Sequence, residues 1–379
     1  MSWCNVKLGD IAEMKYGKMP PKDLQSDEGY PIYSGYRITG YCKDYLFEDS
    51  HVVVVARGVG GTGDVKISPE KSWITNLSIV LLHDEAKVDK KFLFYRLGLE
   101  PLKDKLNTGA AQAQITINSL KDYEIVIPSL NTQQRIVKVL TAYDDLIQNN
   151  LRRISLLENS AKLLYQEWFV RLRFPGFELA KINDDLPEGW LELKAFDVMN
   201  VLSGGTPKTT VEEYWDGDIP FYTPKDSQTE CYVLETEKTI TEYGLSKCNS
   251  KLYPKNTIFI TARGTVGNLN LSQRPMAMNQ SCYALIGKDN IPQFYLYLSI
   301  QSAINQFKSR AVGAVFDAIV VDTFKNIPFT LPSKELIFRF EDTVKPLFNN
   351  IENLLLQNQK LQQARDLLLP KLMNGEIKV

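Results

Sequence analysis

Gly58-Val59-Gly60-Gly61-Thr62-Gly63 has the G-x-G-x-x-G spacing that lets backbone approach a pyrophosphate, and it follows a valine run that reads as a strand. A dinucleotide turn of this kind must open a helix. Here Asp64-Val65-Lys66-Ile67-Ser68-Pro69 alternates as a strand does and soon meets proline, so no dinucleotide site is expected. No G-x-x-x-x-G-K-Ser/Thr phosphate loop occurs. Asp218-Ile219-Pro220-Phe221 has the outline of an Asp/Asn-Pro-Pro-aromatic methyl-transfer loop, but isoleucine holds its second position and no Phe-x-Gly-x-Gly partner loop is present. Only His51 and His83 offer imidazoles, and the five cysteines form no C-x-x-C pair. A zinc site, a Cys/His or Ser/His nucleophile, a catalytic constellation and a bound cofactor are therefore not expected.

What remains are polar loops that combine Lys or Arg with Gln, Ser, Thr and Tyr, side chains able to read base edges and grip phosphates. The first half of the chain offers Lys18, Lys22, Ser34, Tyr36, Arg37, Arg57, Gln112 and Gln114. The second half offers Thr206, Lys208, Tyr222, Thr223, Lys225, Arg263, Lys308 and Arg310. Each could equally be solvated surface. Arg57 and Arg263, at the ends of matching strand-like runs, could instead hold their own domains together.

The chain has 379 residues, 44% hydrophobic and 23% charged, enough for two or three domains with their own cores. Net charge is −1, and no segment departs from neutrality by more than three charges. A DNA-binding face must then be a local patch. No apolar run approaches the roughly 18 residues that would span a bilayer, and the first residues carry no export pattern, so a cytoplasmic protein is expected.

An internal repeat supplies the elements that position these loops. Tyr16-Gly17-Lys18-Met19-Pro20 matches Ser203-Gly204-Gly205-Thr206-Pro207, and His51–Gly58 matches Thr257–Gly264. Glu124–Ser129 matches Pro328–Ser333. Each copy runs from short β-rich segments to a helix, near 90–106 and 292–309, and closes on Ile-Pro or Leu-Pro. The expected fold class is α+β. It comprises two similar mixed α/β domains, 1–130 and 181–332, and two helical regions, 131–180 and 333–379.

In the first helical region Ile136, Leu140, Tyr143, Ile147, Asn150, Ile154, Leu157, Ala161, Leu164 and Trp168 form a heptad seam. In the second, Ile337, Phe340, Val344, Leu347, Ile351, Leu354, Asn358, Leu361, Arg365, Leu368 and Leu372 do the same. Pro346 predicts a kink or a late start. Setting Asn150 against Asn358 fixes an antiparallel register in which facing residue numbers sum to about 508. Trp168 then meets Phe340, Ile136 meets Leu372, and Tyr143 lies over Arg365. The seam asparagines cost stability and set register, so Asn150→Leu is expected to stabilise the coil while loosening it. Alternatively each helix packs on its own domain or pairs with another chain. The intramolecular solution is a pseudo-twofold rod of about 50 Å carrying one domain at each end. That length suits a split duplex site, whose major-groove faces recur every ~34–36 Å.

The whole pattern resembles the DNA specificity subunit of type I restriction-modification systems. The resemblance rests on Ile127–Ile136, on Tyr165–Val170 with Phe174-Pro175-Gly176-Phe177, on Leu186-Pro187-Glu188-Gly189-Trp190, and on Leu369–Ile377. Lys334-Glu335-Leu336-Ile337 departs from the Gln133-Gln134-Arg135-Ile136 form of the first helix start. The resemblance implies a non-catalytic subunit that binds double-stranded DNA, with domains 1–130 and 181–332 as target-recognition domains reading a bipartite sequence. It also implies two DNA methyltransferase subunits docked on the helical regions, and allows restriction or translocase subunits as further partners. The competing readings are a coiled-coil scaffold without DNA contact and a fused methyltransferase or nuclease.

Overall fold

The computed structural model of the chain describes residues 3–58, 61–109, 113–183, 186–311 and 318–379, apart from the side chains of 309–311. It divides into two compact units, Met1–Leu146 with Leu361–Val379, and Ile147–Lys360. Four helices organise them: α1 (Lys90–Gly98), α2 (Leu130–Tyr165), α3 (Gln293–Ala311) and α4 (Lys334–Met373). The division falls inside α2 and α4, because each half of each long helix buries its apolar face in the unit it crosses. The compact units are thus not the four segments expected from the sequence.

The first unit contains strands β1 (Cys4–Lys7), β2 (Ala12–Tyr16), β3 (Gln25–Ser26), β4 (Tyr30–Ser34), β5 (Arg37–Cys42), β6 (Val52–Val55), β7 (Val65–Ile67), β8 (Trp73–Ile74), β9 (Ser78–His83) and β10 (Glu124–Ile127). They form sheets ordered β2-β9-β6-β7 and β3-β5-β4-β8, plus a β1-β10 pair. The unbroken valines of β6 follow from burial on both faces. Val52 and Val54 enter one core with Phe92 and Leu93 of α1, while Val53 enters a second with Tyr33, Ile74 and Val80. The glycine-rich segment after β6 leads to strand β7, antiparallel to β6. Val59 and Gly60 lie outside the described residues. Pro101 separates α1 from a short helix at Leu102–Leu106, where the sequence suggests one helix.

The second unit contains β11 (Leu191–Lys194), β12 (Met199–Ser203), β13 (Trp215–Tyr222), β14 (Tyr232–Val233), β15 (Thr239–Ile240), β16 (Ile258–Thr261), β17 (Leu269–Ser272), β18 (Ala277–Met278), β19 (Cys282–Gly287) and β20 (Pro328–Leu331). Its sheets are β12-β19-β16-β17-β14 and β15-β13-β18, with a β11-β20 pair. The repeat is structural. β6 lies between β9 and β7 as β16 lies between β19 and β17, and β4 runs parallel to β8 as β13 does to β18. Matching backbone bonds close both loops: Ile115 N donates to Ala56 O at 2.8 Å and Ile319 N to Ala262 O at 3.0 Å. Asp218-Ile219-Pro220-Phe221 lies within strand β13.

The long helices pair antiparallel in each unit. In the first, Ile136 and Leu140 share a core with Leu372 and Met373. In the second, Ile154, Ala161 and Trp168 share one with Phe340, Val344, Ile351 and Leu354. The Trp168 and Phe340 rings meet edge to face at 5.3 Å. Asn150 Nδ2 donates to Asn358 Oδ1 at 2.9 Å. Arg365 departs from the expected stacking on Tyr143: its Nη1 donates to Asp144 Oδ1 at 2.6 Å. An ionic hydrogen bond outcompetes a ring face when both are in reach. α4 starts on time and runs through Pro346, because Pro346 and Asp342, whose carbonyl loses its N–H partner, both face solvent. The helices also grip their own domains. Gln133 of α2 accepts from Asp89 N at 2.9 Å, and Glu341 of α4 accepts from Tyr295 N in the first turn of α3 at 2.9 Å.

Candidate nucleic-acid interface

In the first unit the loops at one end of the strands converge. β4 and β5 join through Gly35-Tyr36, with Ser34 opposite Arg37, and Gly35 at φ 64° supplies the left-handed turn residue. The Tyr36 ring covers Gly61, where an added Cβ would lie 3.1 Å from the ring. Arg57 pairs with Gln114 through a backbone bridge, and Thr62 Oγ1 donates to Ala113 O at 3.3 Å. Thr75 Oγ1 donates to Ser34 Oγ at 3.0 Å, while Lys18 N donates to Ile74 O at 2.9 Å. Lys18, Ser34, Tyr36, Arg37, Arg57 and Gln114 are therefore neighbours held by backbone. Lys18, Tyr36, Arg37 and Arg57 are exposed, and the Arg37 guanidinium sits 5.9 Å over the Tyr36 ring. Lys22 is exposed on a separate turn, Lys22–Leu24. Gln112 lies outside the described residues.

In the second unit a cleft of about 360 Å³ brings Thr206, Thr223 and Lys225 together with Trp215, Lys238 and Asn279. The Lys238 ammonium lies 5.4 Å over the Trp215 ring, and Trp215 Nε1 donates to the carbonyl of exposed Lys208 at 3.3 Å. Thr206 Oγ1 donates to Gln280. Lys225 approaches Glu237 only to 4.0 Å, and both are largely exposed, so that pair contributes little. Arg263 precedes Gly264, which turns at φ 80° against Pro224. Lys308 packs on Gly267 at the edge of a second cleft, and the Arg310 side chain lies outside the described residues.

One expected reader is corrected outright. Tyr222 is 0% exposed, stacks on Phe259 and donates to Asn270 Oδ1 at 3.0 Å; burial raises its phenol well above the ordinary value. It is the last residue of β13, facing the core. Arg57 and Arg263 do not tie their domains together through their side chains: both are exposed and neither makes an ion pair with a described residue. Lys238, Trp215, Gln228 and Asn279 belong to the same surface and escaped sequence reasoning, since no spacing or motif marks them. Among the described residues no cluster of His, Cys, Asp and Glu could hold a metal ion. No helix is long and apolar enough to cross a membrane.

The arrangement offers hydrogen-bond donors, acceptors and positive charge on preset loops. The family model for the type I restriction modification DNA specificity domain matches twice, over residues 2–159 and 187–362. The chain is 27% identical to the type I restriction enzyme HindI specificity subunit of Haemophilus influenzae, across 70% of this chain and 71% of that one. It is 25% identical to the MjaIX specificity subunit of Methanocaldococcus jannaschii, across 100% and 94%. The crystal structure of a type I restriction-modification S subunit from M. genitalium has the same fold, with a TM-score of 0.65 at 20% identity, covering 98% of this chain and 96% of that one. The doubled framework, its paired helices and the twofold family match agree: this chain belongs to the type I restriction modification DNA specificity family.

Proposed function

We propose that the chain is the non-catalytic, sequence-reading subunit of a cytoplasmic type I restriction-modification complex. Residues 1–130 and 181–332 each read one half of a split duplex sequence. The helical regions 131–180 and 333–379 dock two methyltransferase subunits, which supply the chemistry on an extruded base, and can also seat restriction subunits. One observation carries this reading: a single framework occurs twice, and at the same place in each copy it presents polar loops of different composition. Two readers of one geometry and different chemistry suit an asymmetric split site.

The test is binding of the subunit, assembled with its methyltransferase subunits, to duplex DNA over a range of salt concentrations. Each phosphate contact adds about −0.9 to the slope of log K against log salt, so a steep negative slope is expected. A complex that assembles and shows no salt-dependent DNA binding supports the scaffold reading instead. Binding of S-adenosylmethionine by the isolated chain would support a fused methyltransferase.

A further inference from the structure

The two units differ most at one topological position. After β4 the first unit turns back in two residues, Gly35-Tyr36. After β13, the matching strand, the second inserts the loop 223–230 before β14. Two buried polar side chains fix this loop. Asp226 accepts from Thr223 N at 2.8 Å, Thr223 Oγ1 at 2.7 Å and Glu237 N at 2.7 Å. Asn270, 0% exposed on β17, accepts from Ser227 Oγ at 3.1 Å and donates to the carbonyls of Gln228 at 3.1 Å and Glu230 at 2.8 Å. It also accepts from Gln228 N at 3.4 Å, so both backbone groups of Gln228 are clamped by one amide.

The Gln228 side chain is exposed and bonds to no described residue, leaving its carbonyl and its NH2 available together. It stands at the rim of a polar cleft of about 400 Å³ that also includes Thr229, Asn268, Gln301 and Lys308. A carboxamide with both ends available matches the N7 acceptor and N6 donor on the major-groove edge of adenine. A backbone already fixed loses little freedom on binding.

We propose that Gln228 reads an adenine in the half-site recognised by residues 181–332, and that Asn270 and Asp226 are positioning residues that hold the 223–230 loop for it. The inference rests on the DNA-reading function proposed above.

The test maps methylated adenines in DNA from cells expressing the full complex with the unaltered chain, Gln228→Ala, Gln228→Glu or Asn270→Ala. For Gln228→Ala we expect one adenine position in one half-site to relax, its preference falling about 5- to 150-fold, with the other half-site and the spacer unchanged. Gln228→Glu should move that position toward cytosine, whose amino group a carboxylate accepts. Asn270→Ala should relax the same position. Gln228 is a surface residue, so its variants remain informative if Asn270→Ala fails to fold. An unchanged motif with Gln228→Ala overturns the inference, as does weakening that is uniform over all sequences, the signature of a phosphate contact. If the unaltered chain directs no motif, the proposed function fails first.

Discussion

Asn150 and Asn358 are 1% and 5% exposed, and they bond to each other at 2.9 Å. This geometry reverses the expectation for a single substitution. In Asn150→Leu the Asn358 carbonyl loses its donor inside an apolar seam, and a buried acceptor left unpaired costs about 1–3 kcal/mol. The Asn358 NH2 keeps only a long contact to Ile147 O at 3.5 Å. Asn358→Leu orphans Asn150 in the same way. Replacing both by leucine removes both desolvation penalties, so the double variant should be neutral or more stable than the parent. The coupling between the two substitutions is then at least about 2 kcal/mol, well above the scatter expected of independent sites. Both residues lie in the unit Ile147–Lys360, which also holds Trp168, Trp190 and Trp215, so denaturant unfolding followed by tryptophan emission reads the relevant transition. Stabilisation by Asn150→Leu alone, or additive single effects, would refute the reasoning.

Other consequences are accessible to the same unfolding experiments. Asp144→Ala leaves both Arg365 and the buried Tyr95 hydroxyl without their carboxylate, and should destabilise the first unit by about 1–2 kcal/mol, the partial exposure of the ion pair being allowed for; no loss would show the pair to be ornamental. Burial holds the Glu158 carboxyl above its usual value of 4.5, opposed by the N–H of Cys231, which donates to it at 2.8 Å. Its folded pKa is raised, so its contribution is full below 4.5 and is lost as pH rises through the folded value. Stability of the second unit should therefore carry a falling component above pH 4.5 that Glu158→Gln removes, and an unaltered pH profile in that variant would count against it. A Cβ on Gly17 would lie 2.3 Å from the carbonyl oxygens of Ile74 and Thr75, and one on Gly204 2.2 Å from that of Asn279. Gly17→Ala and Gly204→Ala should each cost about 1–3 kcal/mol, whereas wild-type stability in both would mean these loops yield easily.

The helices were legible because a heptad seam is one-dimensional: the position of one asparagine in each fixes the register of every other pair, Trp168 with Phe340 included. Arg365 escaped because its partner, Asp144, stands one residue off the seam, where a long guanidinium still reaches it. The repeat was legible through its shared backbone needs, such as the glycine before each first reader loop, packed against strand carbonyls. The reader surface was harder. Tyr222 looks like a loop residue beside Thr223 and Pro224, yet strand alternation turns it inward, and only the β13 register decides that. Gln228 and Lys238 lie in segments with no counterpart in the first copy, and their setting comes from Asn270 and Trp215, distant in sequence or unremarkable by type.

The central claim is that this chain chooses where its complex methylates DNA. The most direct measurement is single-molecule mapping of methylated adenine in cells carrying the chain with its methyltransferase subunits, against cells in which this chain alone is deleted. The account predicts one split, asymmetric motif that disappears on deletion. A motif that persists unchanged without the chain, in cells whose methyltransferase is demonstrably active, would contradict it.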